Sequence, residues 1–292
     1  MNLPETCLNA VEAFPGGQPV EIPVCGTRLR GRLFRPAAAP RAAIVLHAAT
    51  GVPQRYYRHF VAWLAGEGYA CLTYDYRDFG ASAERHPRHS RATMADWGIR
   101  DQAAAQRTLE KLVPDAPIWV IGHSLGGYML PLQAGAARVA RLITVASGPV
   151  HRSDHLYPQR LAAEALWSPP VRALTRALGY LPGRALGLGH DLPAGVYAEW
   201  RRWCTTRGFL LCDIGRSLPM PDWTAMRGQA KFVALADDGM IPPPAVWRLM
   251  QFYPEAVKRQ LLLRPAAYGL KAVGHVAVFA ERNRALWPAI TA

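Results

Sequence analysis

The stretch Ile118-Trp119-Val120-Ile121-Gly122-His123-Ser124-Leu125-Gly126-Gly127 decides how the rest of the chain is read. Its first four residues are a short apolar run, rich in β-branched side chains, that reads as a buried strand. Gly122-x-Ser124-x-Gly126 then places one serine at the tip of a tight strand-to-helix turn, the nucleophile-elbow pattern. Crowding explains the spacing: in so sharp a turn the residues two before and two after the serine must lack side chains, so that strand and following segment can approach. Gly127 extends that clearance. Tyr128 to Leu132 and the alanine-rich residues beyond are predicted to form a helix packed back on the strand. The glycine–serine spacing by itself is common, and the flanking strand and helix are what sharpen it. The competing reading is a plain strand–turn–helix with a capping serine.

Working outward, strands and helices alternate. Ala42–Leu46 and Tyr69–Tyr74 are predicted strands before the elbow, and Arg141–Gly148, Lys231–Ala236 and Gln260–Leu263 are predicted strands after it. A helix starts at Pro53, with Tyr57, Phe60, Val61 and Leu64 as its apolar stripe. Others are expected over 93–113 and 244–252, and a closing helix runs from beyond Gly274-His275 through Trp287. This alternation argues for a parallel, doubly wound sheet. Residues 18–36 read as an antiparallel hairpin joined at Gly26-Thr27. Arg28, Arg30 and Arg32 alternate with Leu29, Gly31 and Leu33, which looks like the solvated face of an edge strand.

The rhythm breaks between 149 and 227. Helical pieces there are punctuated by Pro169-Pro170, Gly179, Gly183, Gly187, Gly189 and Pro193, and large aromatics such as Trp167, Trp200 and Trp203 cluster among them. So long an insertion in an α/β domain usually has a job. We expect residues 1–148 and 228–292 to form the core and 149–227 to form a helical cap over the C-terminal edge of the sheet. The plainer alternative is a helical subdomain whose aromatics are only its own core.

The 292 residues, half of them hydrophobic, suit one large α/β domain with an insertion. No apolar run reaches the length of a membrane span, so stable membrane insertion is not expected. The N-terminal Met1 to Thr6 shows no basic region followed by an apolar one, hence no signal peptide is expected. The odd set Cys7, Cys25, Cys71, Cys204 and Cys212 contains no Cys-x-x-Cys pair, which argues against a disulfide framework or zinc site and points to the cytoplasm. The net charge is +13, almost all of it arginine. These arginines are dispersed and accompany no nucleic-acid-binding motif, so a nucleic-acid partner is not expected.

A serine hydroxyl becomes a useful nucleophile only when a base takes its proton, and the base needs an orienting acid. In a parallel sheet these partners belong in loops after strand C-termini. Asp237 and Asp238 follow a buried strand, and Asp238 is preferred because it lies further into the loop, although Asp-Asp-Gly is also ordinary turn chemistry. Asp154 and Asp213 are distant rivals. His275 lies between the last strand and the last helix, and histidine titrates near neutrality, as a base must. His123 is expected to point away from the tip of the turn, and His59, His86 and His89 fit exposed positions. His151 and His155 have the helical spacing of metal ligands, but no third ligand is placed by the sequence. An oxyanion would need two backbone N–H donors, for which Leu125 and Ala49 are the candidates.

Taken together, these segments resemble the α/β-hydrolase superfamily. The segments that carry the likeness are His47–Gly51, Asp75–Ser82, Gly122–Gly127, Asp237–Pro242 and Gly274-His275, and it extends from about Pro19 to Trp287. More closely, the chain resembles a group of bacterial predicted α/β hydrolases that share Ala-Thr-Gly-Val-Pro-Gln-Arg, here Ala49 to Arg55, and a cap run matched by Leu192 to Val196, Trp200, Trp203 and Cys204. The resemblance implies an α/β-hydrolase fold, a mostly parallel, doubly wound eight-stranded sheet with a helical cap. It also implies Ser124 as nucleophile, Asp238 as acid and His275 as base. Three departures stand out. Ala48 replaces the glycine usual after the loop histidine. Asp78 replaces a glycine near the site mouth, which would disfavour anionic substrates. Val276-Ala277-Val278-Phe279 replaces a glycine–phenylalanine pattern after the base.

The expected activity is therefore hydrolysis of a small-molecule carboxylic ester or thioester, partly apolar, through an acyl-enzyme, with no cofactor and no metal. An acyltransferase with the same triad and a catalytically idle hydrolase fold used for binding are the alternatives. The sequence leaves the substrate and a homo-oligomeric state open.

Overall fold

The computed structural model describes residues 16–187 and 189–292. Cys7 and the readings made on the N-terminal segment lie outside them. Strand β1 (Gln18–Val24) and β2 (Thr27–Phe34) pair antiparallel. β3 (Ala43–His47) leads through a short 3₁₀ turn, Gln54–Tyr57, into α1 (Arg58–Gly66). β4 (Ala70–Tyr74) follows, then α2 (Gln102–Leu112), β5 (Ile118–His123) and β6 (Val139–Val145). Between β6 and the next sheet strand lie α3 (Gln159–Leu166), α4 (Pro169–Leu178), a two-residue pair β7 (Tyr180–Leu181) and β8 (Leu192–Pro193), and α5 (Ala194–Cys204). The chain ends with β9 (Gln229–Leu235), α6 (Pro243–Leu249), β10 (Val257–Leu263) and α7 (Trp287–Thr291).

The main sheet has eight strands in the order β1-β2-β4-β3-β5-β6-β9-β10. β4, β3, β5, β6, β9 and β10 are mutually parallel, and only β2 runs against its neighbours. The order reverses around β3, so β3 and β5 flank the crevice where doubly wound sheets bind ligands. Both central strands are buried along nearly their whole length, as near-continuous apolar runs covered by helices on two faces should be.

Several local readings differ from the structure. β2 is not an edge strand, because β1 covers it. Its arginines do face solvent, and Arg28 and Arg30 both reach Glu21 on β1. The helix expected after the elbow is absent; Ser124–Gly127, Leu130–Leu132 and Ala136–Arg138 form separate 3₁₀ turns. Pro131 explains the break, since it has no N–H and its ring clashes with the carbonyl of the preceding turn. Freed carbonyls find other donors: the Pro131 carbonyl accepts from Asp222 N at 2.9 Å, and that of Gly135 accepts from Gln106 Nε2 at 2.9 Å. The segment expected as one helix over 93–113 opens with a π-helical turn, Asp96–Asp101, ahead of α2. The wider turn lets Trp97 stack on Tyr76, ring centroids 4.9 Å apart, while Asp101 pairs with Arg77. The closing helix is likewise broken into 3₁₀ turns, Ala277–Phe279 and Glu281–Leu286, before α7. Asn283 Nδ2 and Trp287 Nε1 donate to the carbonyls of Ala277 and Val278, at 2.7 and 3.0 Å, competing with a regular ladder.

The segment 149–227 lies across loops that follow strand C-termini. Leu156 N–H donates to the Gly239 carbonyl at 2.8 Å, Glu199 Oε2 accepts from Ala95 N at 2.8 Å, and the His190 ring meets Phe79 edge-on.

Candidate active site

β5 ends at His123, and Ser124 follows with φ of +52°. A non-glycine residue in the left-handed region is a strained turn held by its surroundings. Here the holding is visible. A Cβ on Gly122 would run into the Gly126 carbonyl, and one on Gly126 into the His47 carbonyl at the end of β3. Ser147 Oγ donates to the Ser124 carbonyl at 2.6 Å, and Tyr253 Oη donates to that of Gly127 at 3.3 Å. The two glycines thus let strand, turn and the neighbouring β3 loop pack without intervening side chains.

The two aspartates after β9 divide the work. Asp238, fully buried, directs Oδ2 to His275 Nδ1 at 2.8 Å and accepts on Oδ1 from the N–H groups of Met240 and Ile241, at 2.8 and 2.9 Å. With two backbone donors locking its other oxygen, its aim at the imidazole is fixed. Asp237 does not reach the ring. Its Oδ2 accepts from the N–H groups of Val273 and Gly274, at 2.6 and 3.0 Å, so it shapes the loop that presents His275.

His123 is a residue whose role the sequence did not disclose. Tyr57 Oη sits between Ala49 N, 3.0 Å away, and His123 Nδ1, 2.8 Å away. The His275 carbonyl beside Nε2 can only accept, so in a neutral His123 ring Nδ1 is the acceptor and takes the hydrogen of the Tyr57 hydroxyl. The Nε2 of His123 then carries the other hydrogen and donates to the His275 carbonyl at 3.0 Å. Burial pushes the His123 pKa well down, with the charge of His275 adding to the effect, which agrees with a neutral ring. Burial also holds the Tyr57 phenol well above its ordinary pKa, so it stays a donor. One chain of hydrogen bonds therefore joins the β3 loop, the elbow and the loop of His275. The apolar spacing of Tyr57 signalled its burial; its hydroxyl partners lie on other elements and left no local signal.

This chain alters the reading of Ala49. Its N–H, expected to face an oxyanion, is engaged by Tyr57 Oη. The Tyr76 hydroxyl donates to the neighbouring Ala48 carbonyl at 2.9 Å, fixing the loop despite the missing glycine. His47 is buried too, with its pKa lowered to about 3 by desolvation. Asp78 adopts φ of +56° and accepts from Ser90 Oγ at 2.6 Å.

The remaining candidates are occupied elsewhere. His151 Nδ1 meets Ser153 Oγ at 2.7 Å, Asp154 pairs with Arg248, and His155 Nδ1 reaches the Met240 carbonyl at 2.7 Å, in the turn after Asp238. Asp213 pairs with Arg202 and accepts from Trp203 Nε1 at 2.6 Å. His86 and His89 are exposed, and His59 pairs with Glu281 at 3.4 Å. Cys25, Cys71, Cys204 and Cys212 are free thiols. Among the described residues no helix is long and apolar enough to cross a membrane.

A strained serine after the central strand, an imidazole bonded to a buried carboxylate after later strands, and this sheet order define a class. The chain belongs to the alpha/beta hydrolase family, whose family model matches residues 43–289. A curated relative, the quorum-quenching protein AidA of Acinetobacter baumannii (strain MDR-ZJ06), is 34% identical over 119 residues, 38% of each protein. The chain thus spans well under half the length of that relative. Among solved structures, DcsB in complex with its substrate analogue superposes with a TM-score of 0.63 at 17% identity, covering 94% of this chain and 98% of that one. The enol-lactonase of Burkholderia xenovorans LB400 superposes with a TM-score of 0.56 at 18% identity, covering 93% and 98%. At these identities the structural likeness speaks for the fold.

Proposed function

We propose that the protein is a serine hydrolase of carboxylic esters or thioesters, working through an acyl-enzyme. The observation that carries this reading is the 2.8 Å contact between His275 Nδ1 and the buried Asp238, on a loop tied through His123 to the strand that leads into Ser124. Ser124 Oγ attacks the substrate carbonyl carbon while His275 Nε2 takes its proton. Asp238 holds the ring in the tautomer that leaves Nε2 free to accept. The oxyanion is met by the Leu125 N–H in this reading, the Ala49 N–H being engaged by Tyr57 Oη. Collapse breaks the carbon–oxygen or carbon–sulfur bond, and His275 returns the proton to the leaving group. Water then attacks the acyl-enzyme, giving its proton to His275, and releases the acid and Ser124.

Residues 149–227 act as the cap in this reading, which their contacts with the loops after β4 and β9 support. A fluorophosphonate probe tests the proposal. The wild type should label stoichiometrically and Ser124→Ala should not; a folded wild type that stays unlabelled contradicts it.

A further inference from the structure

A cleft of about 290 Å³ opens beside the candidate base, between Gly51 and Val52 of the β3 loop, Val276 next to His275, and His190 from the 149–227 segment. Arg55 and Arg58 line it, and among the described residues no carboxylate does. Among the described residues neither guanidinium pairs with a carboxylate; Arg58 Nη1 donates only to the Arg55 carbonyl, at 3.1 Å. Arg282 acts on Tyr56, which lines the same cleft, and Arg184 acts on His190. The His190 imidazole is held below its ordinary pKa by burial first, then by Arg55 and Arg184, with Asp191 opposing. The acidic groups nearby are already engaged. Asp191 accepts from Arg184 N at 3.0 Å and Glu281 meets His59 at 3.4 Å; Asp75, a buried carboxylate on which the Arg55 charge acts without a direct ion pair, accepts from Gln54 N and Ala81 N at 2.7 and 2.8 Å. Tyr56 Oη donates to the Val276 carbonyl at 3.2 Å, which ties the wall of the cleft to the residue after the base.

We propose that this cleft is an anion subsite, receiving a carboxylate or phosphate borne by the non-reacting part of the substrate. The proposal deepens the hydrolase reading and rests on it. Guanidinium forks match the oxygens of such groups, and a cleft lined by one sign of charge concentrates ligands of the other. Both arginines stand at the rim in solvent, so salt must weaken the effect. Two of the arginines are then functional at this place, and Asp78, which is not among the residues lining the cleft, does not set its sign.

The test compares neutral and anionic partners of equal reactivity. One pair places the anion on the acyl chain: para-nitrophenyl butyrate against mono-para-nitrophenyl glutarate. A second places it on the leaving group: para-nitrophenyl butyrate against the butyrate of a carboxylated nitrophenol. A third uses phosphate: S-butyryl-N-acetylcysteamine against butyryl-coenzyme A. The wild type should favour the anionic member of at least one pair in kcat/KM. Arg55→Gln/Arg58→Gln should cut that preference about three- to tenfold, as should added salt, while Arg259→Gln, on distant β10, should leave it. An absence of anionic preference in every pair, or a preference unchanged in the double variant, overturns the subsite. Ser124→Ala run in parallel separates the two claims: persistent turnover there defeats the serine mechanism, yet the anionic-to-neutral ratio still reports on the cleft. No turnover of any pair overturns both.

Discussion

The Nε2 of His123 donates to the backbone carbonyl of His275 at 3.0 Å, although the two residues are 152 positions apart. The bond sets where the candidate base begins its loop relative to the candidate nucleophile. Tyr57, on the other side of the His123 ring, sets the tautomer that makes the bond work. Replacing Tyr57 by Phe leaves a buried imidazole acceptor without its donor, which costs about 1–3 kcal/mol. We predict that Tyr57→Phe lowers the unfolding free energy by that amount in urea titrations. It should also lower kcat more than it changes KM, since it moves the site rather than the substrate contacts. Unchanged kcat in a destabilised but folded variant would reduce Tyr57 to a packing residue.

Asp238 and Asp237 are adjacent but face different partners, and their amide variants should differ accordingly. Asp238→Asn lets the side-chain NH₂ meet His275 Nδ1 and favours the wrong tautomer, so kcat should fall on the order of a thousandfold or more. Asp237→Asn keeps the ring partner and only loosens the bonds to Val273 and Gly274, so its loss should be about tenfold. Steady-state kinetics with one chromogenic ester decides. A larger loss in Asp237→Asn would reverse the assignment.

Much of the site's framework was legible, and the misses have physical causes. β3, β4 and β5 are short, buried, apolar runs that end at turn residues, so local signals and tertiary packing agreed there, whereas β10 is exposed over Val257–Gln260 and only its apolar end was legible. The glycine spacing around Ser124 was readable because it reports backbone crowding, which Gly122 and Gly126 display against Gly126 and His47. Apolar periodicity misled after the elbow and at the C-terminus, where Pro131 and side-chain donors from Asn283 and Trp287 dismantle the helical ladder. The engagement of the Ala49 N–H was illegible because Tyr57 lies in what reads as a helix stripe, and only the tertiary fold turns its hydroxyl to the β3 loop.

That crowding yields a further prediction. A methyl group at position 126 meets backbone rather than a flexible side chain, so it cannot be relieved by a rotamer change. Gly126→Ala should cost about 3 kcal/mol or more, seen as a lowered denaturation midpoint or loss of soluble protein. A near-wild-type midpoint would show that the elbow has room the structure does not.

Stability should also depend on pH through buried histidines. His47 is held neutral down to about pH 3, against an ordinary value of 6.5, and burial pushes His123 well down too. Below about 6.5 the unfolded chain binds protons that the native state refuses, so the native state loses stability as pH falls. Asp75 and Asp101 act with the opposite sign: burial raises each to about 6, so the native state binds more protons than the unfolded chain between there and 3.8. The decline should therefore be clearest from about pH 7.5 to 6, at no more than about 1.4 kcal/mol per pH unit for each histidine, and flatten below. Unfolding free energies at stepped pH check this, and His47→Gln should shallow the slope. Stability that rises as pH falls through this range would contradict it.

The most direct test of the central claim is rapid-quench mass spectrometry during turnover of a para-nitrophenyl ester. The account predicts a burst of nitrophenol stoichiometric with enzyme, and an added acyl mass on the peptide that contains Ser124. Turnover by Ser124→Ala at a rate close to the wild type, or an acyl group found on another residue, would contradict it.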